Sequence, residues 1–212
     1  MSSLPNSLKQ VALFFERLPG IGAKSASRMA FYLLRMPEPD LQEFANQIIQ
    51  LKQRTRRCKI CMNLTENEVC SICDDPVRDR AKITVVEDVL DLVSFETGDI
   101  YDGVYHVLHG RIDPLNHIGP DDIFIETLLV RMRPNGKAKK VEVQEIILAT
   151  NPDMEGEATA MYIRNKLHEI KSEHSLTFAV SRLGYGMPIG GNLEYADYMT
   201  LRKAIENRSK FE

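Results

Sequence analysis

The sequence predicts a multi-module α/β chain: a helical N-terminal module, a small metal loop, a mainly parallel sheet flanked by helices, and a glycine-rich C-terminal segment with a closing helix. Three observations carry this. Apolar residues recur at helical spacing through the first quarter of the chain. All four cysteines fall in one short stretch, Cys58-Lys-Ile-Cys61 and Cys70-Ser-Ile-Cys73. From residue 82 onward, short β-branched runs alternate with helical patterns, which implies parallel strands with helices on both faces. The expected modules span 1–56, 57–76, 80–178 and 179–212.

At 212 residues, with 43% apolar and 27% charged residues, the chain has the composition of a globular protein. The start, Met-Ser-Ser-Leu-Pro-Asn, has no basic segment leading into an apolar one, and no apolar run reaches membrane-spanning length. A cytoplasmic location is therefore expected. The formal charge of −3 is unevenly spread: residues 1–57 carry +5 and the remainder −8. A basic start joined to an acidic body suggests a polyanionic partner for the N-terminal module, against the alternative of merely solvated basic helix faces.

The first helix is expected over residues 8–18, with Leu8, Val11, Ala12 and Phe15 on one side. A second carries Ala26, Met29, Ala30, Leu33 and Leu34. Pro37-Glu38-Pro39 ends it, and Asp40 with Glu43 reads as a capping box opening a third helix that buries Leu41, Phe44, Ala45, Ile48 and Ile49. This module is too small for a large core and should lean on a partner.

Between the first two helices lies Leu18-Pro-Gly-Ile-Gly22. Gly20 and Gly22 let the backbone approach another molecule, and the free N–H groups of the next helix suit a phosphate oxygen. Lys24 and Arg28 sit within reach of the same phosphates. The stretch resembles the helix-hairpin-helix motif, which grips nucleic-acid backbones without reading bases. An ordinary Pro-Gly turn is the alternative. Residues 52–57, Lys-Gln-Arg-Thr-Arg-Arg, could lie on phosphates or complement a helix C-terminus.

Two C-x-x-C turns set a four-thiolate cage that fits zinc, or less often an iron–sulfur cluster. Two disulfides are the competing reading, and nothing in the chain points to secretion. Cys58, Cys61, Cys70 and Cys73 are thus the expected ligands of one structural Zn²⁺ per chain.

In the body, strands are expected at Ile83–Glu87, Gly103–Leu108, Val143–Thr150 and Leu176–Val180. Helices are expected after Asp88, after Asp121 or Asp122, over Gly156–Ile170 and over Tyr198–Asn207. Sites on such sheets gather beyond the strand C-termini. Glu87 ends one strand, and Asn151-Pro-Asp153-Met-Glu155-Gly-Glu157 follows another. Paired oxygen ligands at neighbouring strand ends are what Mg²⁺ requires; capping of helix N-termini is the alternative use of these acids. The pattern resembles the Toprim domain of topoisomerases and primases, with Asn151 where that motif carries its first aspartate. An amide is a weaker Mg²⁺ ligand, which argues against metal-assisted phosphodiester chemistry. The tail, Ser181 to Asp197, lacks the Gly-Lys-Ser/Thr of a P-loop and reads as subunit-packing backbone. His106 and His109 are more plausible in core and loop roles than as metal ligands.

In this order, the motifs resemble the bacterial recombination mediator family RecR along the whole chain. The matching pieces are Leu18-Pro-Gly-Ile-Gly22, the Cys58–Cys73 set, Ala149-Thr-Asn-Pro152 with Glu155-Gly-Glu-Ala-Thr159, and Gly190-Gly-Asn-Leu-Glu-Tyr-Ala-Asp197. His117 stands where the family tends to have glycine, and Asp153 where it often has an uncharged residue. The resemblance implies a non-enzymatic, nucleoid-associated DNA-repair factor. It implies a ring-shaped homotetramer that clamps DNA and works with RecO and RecF to load RecA on DNA coated by single-strand-binding protein. It makes Gly20, Gly22, Lys24 and Arg28 DNA contacts, and Glu87, Asp153, Glu155 and Glu157 a partner face. A Mg²⁺-dependent Toprim nuclease or topoisomerase-like enzyme, with Mg²⁺ on those acids, is the alternative.

Overall fold

A computed structural model describes residues 4–133 and 142–210. The chain divides into two compact units, Met1–Thr55 and Arg56–Glu212. The first unit holds α1 (Asn6–Glu16), α2 (Ala23–Arg35) and α3 (Glu38–Arg54). Helices α1 and α2 pack through Leu8, Ala12 and Ala30, with Ala26 also fully buried. Small residues at this contact let the two helices approach closely, as a tight hairpin requires.

Two expectations for this unit are corrected. Asp40 and Glu43 do not form a capping box: α3 starts earlier, at Glu38, with a proline in its first turn and no side-chain cap. A proline there loses nothing, because its missing N–H has no helical partner. Nor are the apolar residues of α3 inside: none of its residues is buried, and Ile48, Ile49 and Leu51 are exposed. Met29 and Leu34 of α2 are likewise exposed.

The second unit opens with the cysteine loop, framed by the short antiparallel pair β1 (Arg56–Arg57) and β2 (Leu64–Thr65) and by one helical turn, α4 (Ser71–Asp74). Then follow β3 (Asp79–Val86), α5 (Val89–Thr97), β4 (Gly103–Val107), α6 (Ile125–Met132), β5 (Glu145–Leu148), α7 (Met154–His174), β6 (Ala179–Arg182) and α8 (Tyr198–Glu206). The four long strands are all parallel, in the order β4-β3-β5-β6.

Strand alternation sorts the core. Ile83, Val85, Val104, Ile146 and Leu148 face α6 and α7, whose Leu128, Ile163 and Leu167 are fully buried. Val86, Tyr105 and Val107 face the other way, onto Leu92 of α5 and Met62 of the cysteine loop. Both faces are covered, which is why the strands read as nearly continuous apolar runs. Asp88 caps α5 in a reciprocal box with Asp91, as its position before the helix implied.

Several boundaries differ from expectation: β3 starts at Asp79 and α7 runs Met154–His174, each longer than read. Helix α6 begins at Ile125 instead of Asp121 or Asp122, because Asp122 is used in a turn, accepting from the Gly119 N–H at 2.7 Å. The last strand is Ala179–Arg182 and not Leu176–Val180, since Leu176 and Phe178 pack onto the core from the preceding loop. The third strand is trimmed to Glu145–Leu148. In the loop after β4, His117 follows a 3-10 turn with φ 58°, a left-handed conformation that glycine adopts without penalty.

Candidate metal centre and nucleic-acid interface

The cysteine loop folds around its own sulfurs. Met62, just after the first C-x-x-C, takes φ 63° and turns the chain back, so that the Cys58 N–H reaches the Asn63 carbonyl at 2.7 Å. The N–H of Cys70 donates to Cys58 Sγ at 3.3 Å. All four cysteines are buried, and their sulfurs lie within 4.8 Å of one another. Cys61 and Cys70 Sγ are 3.5 Å apart, close to the edge of about 3.8 Å of a tetrahedron with Zn–S bonds of about 2.3 Å.

This spacing leaves the thiols dependent on a cation. Hydrogen bonding to Cys70, then to Cys73, together with burial, drives the Cys61 thiol far up; the same shared protons pull Cys70 down. Four thiolates can coexist here only around a soft dication. Zinc bound by Cys58, Cys61, Cys70 and Cys73 would be closed to substrate and would supply folding energy, not catalysis. Positive groups back the site: Arg80 donates to the Cys73 carbonyl at 3.0 Å, and half-buried Arg131 feels the charges of Cys73, Cys61 and Cys58 while donating to the Tyr105 carbonyl at 2.8 Å.

In the first unit, Gly20 takes φ 78° and the Ile21 N–H closes the turn on the Leu18 carbonyl at 3.1 Å. Gly22 is the N-cap of α2, which has no side-chain cap and no acid in its first turn. A side chain at Gly20 or Gly22 would meet nothing within 4 Å, so the hairpin faces open space. Lys24 and Arg28 are exposed one turn apart on α2, and neither makes an ion pair among the described residues. The result is an unsatisfied helix N-terminus with two free cations beside it, the elements of a phosphate site. Of the 52–57 run, Lys52 and Arg54 lie in the last turn of α3, where cations suit the helix dipole. Arg57 lies over the Phe124 ring at 4.7 Å.

At the sheet's C-terminal edge, the structure brings together three of the four acids singled out, each with a protein partner. Glu87, 6% exposed, accepts the backbone N–H of Asn151 on Oε1 and its side-chain N–H on Oε2, both at 2.8 Å. Asp153 caps α7 through the Gly156 N–H at 2.8 Å and pairs with Arg111. Glu157 accepts from Arg182 Nη2 at 2.8 Å and from Tyr185, which hold its pKa low against the opposing effect of burial. The Glu155 carboxylate makes no hydrogen bond or ion pair among the described residues, while its backbone carbonyl accepts from the Thr159 hydroxyl at 2.7 Å. These carboxylates do not form a cation-ready cluster of three; the cysteines alone do so among the described residues.

Arg111, Arg182 and Tyr185 carry these contacts, and sequence reasoning did not single them out. Their position at or just past the ends of strands β4 and β6 was the available signal. Arg182 also donates to the Leu148, Thr150 and Asn151 carbonyls, satisfying the end of β5. A cavity of about 600 Å³ opens beside these groups, lined by Asn151, Glu157, Tyr185, Asp197 and Lys203 among others.

Comparison with known proteins agrees with this geometry along the chain. Family models match at residues 10–52 (RecR, helix-hairpin-helix), 55–75 (the RecR zinc finger domain with four cysteines), 81–179 (Toprim domain) and 186–209 (RecR, C-terminal). The cysteine loop is therefore a zinc finger, holding one Zn²⁺ per chain. The recombination protein RecR of Staphylococcus haemolyticus is 45% identical over 97% of this chain and 98% of its own length. That of Lactobacillus delbrueckii subsp. bulgaricus is 44% identical over 92% and 93%, and that of Lactococcus lactis subsp. cremoris 43% over 96% and 97%. With this identity across nearly the whole length, and each module in the same order, the chain belongs to the RecR family of recombination proteins.

Proposed function

We propose that the chain is a DNA-repair and recombination mediator that binds DNA backbones and catalyses no reaction. The carrying observation is the open N-terminus of α2, with Gly20 and Gly22 bare of neighbours and Lys24 and Arg28 without an ion pair among the described residues. Such a site takes phosphate oxygens of any sequence. Two or three contacts per chain are weak and salt-sensitive alone, and repetition around a homo-oligomer raises avidity.

A homotetrameric ring is the assembly we favour. Two exposed apolar regions support it: Phe14, Tyr32, Ile48 and Ile49 in the first unit, and Ile189, Leu193, Tyr195 and Tyr198 in the C-terminal segment. The first unit also carries a groove of about 590 Å³ lined by Phe15, Met29, Tyr32, Leu33 and Phe44. Patches of this kind on a soluble domain mark protein contacts. In this reading Glu155 and the exposed parts of Asp153 and Glu157, with Glu87 buried behind them, form a face for RecO and RecF, the site of action is cytoplasmic and nucleoid-associated, and the outcome is RecA loading. No helix among the described residues is long and apolar enough to cross a membrane.

The test is RecA-dependent ATP hydrolysis on single-stranded DNA coated with single-strand-binding protein, with RecO present. Addition of this protein should shorten the lag. An unchanged lag, or Mg²⁺-dependent nicking of plasmid that disappears in Glu87→Gln, would replace the mediator with the enzyme.

A further inference from the structure

The Toprim fold implies a divalent cation at the strand ends, yet the residues here do not fit one. Glu87 and Asn151 sit at the C-termini of adjacent strands β3 and β5, where the chain's order across the sheet reverses. Both Glu87 oxygens are taken by N–H donors of a single residue, at 2.8 Å each. The orientation of the Asn151 amide is dictated: turned over, its oxygen would face the Glu87 carboxylate at hydrogen-bond distance, lone pair to lone pair. The side-chain N–H therefore occupies the position from which an aspartate oxygen would complete a cation site. Gly156 seals the junction from α7, since a Cβ there would collide with the Asn151 carbonyl and stand 2.8 Å from Glu87 Oε1. Asp153 is engaged by Arg111 and the Gly156 N–H, and Glu157 by Arg182 and Tyr185.

We infer that Asn151 is a positioning residue that replaces the cation: its two N–H groups latch Glu87, joining β3, β5 and the start of α7 without a metal. The partial positive charge of the amide hydrogens does for the buried carboxylate what Mg²⁺ does in a metal-dependent site. This stands apart from the mediator reading, because its test reads ion binding and melting, not DNA.

Three proteins decide it, each measured by Mn²⁺ electron paramagnetic resonance and by melting with and without Mn²⁺ or Mg²⁺. The wild type is expected to bind no Mn²⁺ at millimolar concentration and to melt at the same temperature with either ion. Asn151→Asp, which sets two carboxylates face to face, should melt about 4–10 °C lower in chelator and recover most of that loss in Mn²⁺. Asn151→Ala should show a loss that neither ion restores. Wild-type Mn²⁺ binding with a raised Tm would overturn the latch. So would an Asn151→Asp protein as stable as wild type in chelator. Should Asn151→Asp fail to fold, the wild-type resonance and Asn151→Ala melts still decide.

Discussion

The backbone N–H of Val107, at the end of β4, donates to the carbonyl of Cys61 at 2.8 Å. The zinc loop is thus fastened to the sheet through one of its own ligands. His109 adds a second tie to the Met62 carbonyl at 2.6 Å, and Met62 itself packs on Val86 and Val107. Losing the metal should therefore loosen the strand ends as well as the loop. Cys61→Ser is expected to purify with little zinc by atomic emission and to lose about 3 kcal/mol, or about 6–12 °C in Tm. Faster hydrogen exchange should reach the amides of Val107 and Leu108. Exchange confined to residues 58–73 would show the ties to be idle.

Lys24→Ala and Arg28→Ala should each weaken binding to all DNA sequences alike, by several-fold at moderate salt. The slope of log K against log salt should fall by about 0.7–0.9 for each phosphate that is no longer neutralised. Fluorescence anisotropy on two unrelated sequences at three salt concentrations checks this. A sequence-dependent loss would remove these residues from the phosphate-contact role.

What the sequence made legible follows from how strongly each residue type constrains its surroundings. Four cysteines in two C-x-x-C turns admit few arrangements, and the metal cage formed as read. The apolar strand runs gave a parallel sheet because only burial on both faces explains them. The Glu87–Asn151 latch was invisible, though each residue is conspicuous by itself: their meeting depends on the pairing of β3 with β5, a contact between residues 64 apart in the chain. The apolar stripe of α3 misled for a related reason. Periodicity tells which face of a helix wants covering, not whether the same unit covers it, and here it does not.

His106 predicts a pH dependence. It is fully buried, its Nε2 lies 2.8 Å from the Phe124 carbonyl, and Nδ1 has no hydrogen-bond partner among the described residues. Burial, aided by the charges of Arg131 and His109, lowers its pKa from 6.5 to about 4. The unfolded chain takes up a proton between those values that the folded chain refuses. Stability is therefore full above pH 6.5 and falls as pH drops toward 4, by about 1.4 kcal/mol per unit and about 3 kcal/mol in all. Urea melts at pH 7, 6 and 5 should show this slope in the wild type and a shallower one in His106→Gln. Parallel slopes would mean that other groups carry the dependence.

The left-handed His117 predicts a gain. Its φ of 58° is strained for a residue with a Cβ and free for glycine. His117→Gly should stabilise by about 0.5–1 kcal/mol, a rise of about 1–4 °C in Tm. A lowered Tm would show that the imidazole has a contact worth more than the strain.

Arg182 closes β6 against the end of β5 and carries the start of the C-terminal segment. Its guanidinium donates to Glu157 and to three carbonyls, at Leu148, Thr150 and Asn151, and stacks on the Tyr185 ring at 4.9 Å. Tyr185 in turn donates to Glu157. Removing the cation takes this donor from the Thr150 and Asn151 carbonyls just past β5, leaves the Leu148 carbonyl only the Leu183 N–H at 3.0 Å, and leaves a partly buried carboxylate with one partner. Arg182→Ala should cost about 2–3 kcal/mol in urea melts, whereas Arg182→Lys, which cannot fork between acid and carbonyls, should recover less than half of that loss. If the glycine-rich segment is a subunit contact, the same change should also shift light scattering toward smaller species at a protein concentration where the wild type stays assembled. Full rescue by lysine would reduce the residue to a simple positive charge, and an unchanged mass would place the subunit contacts elsewhere.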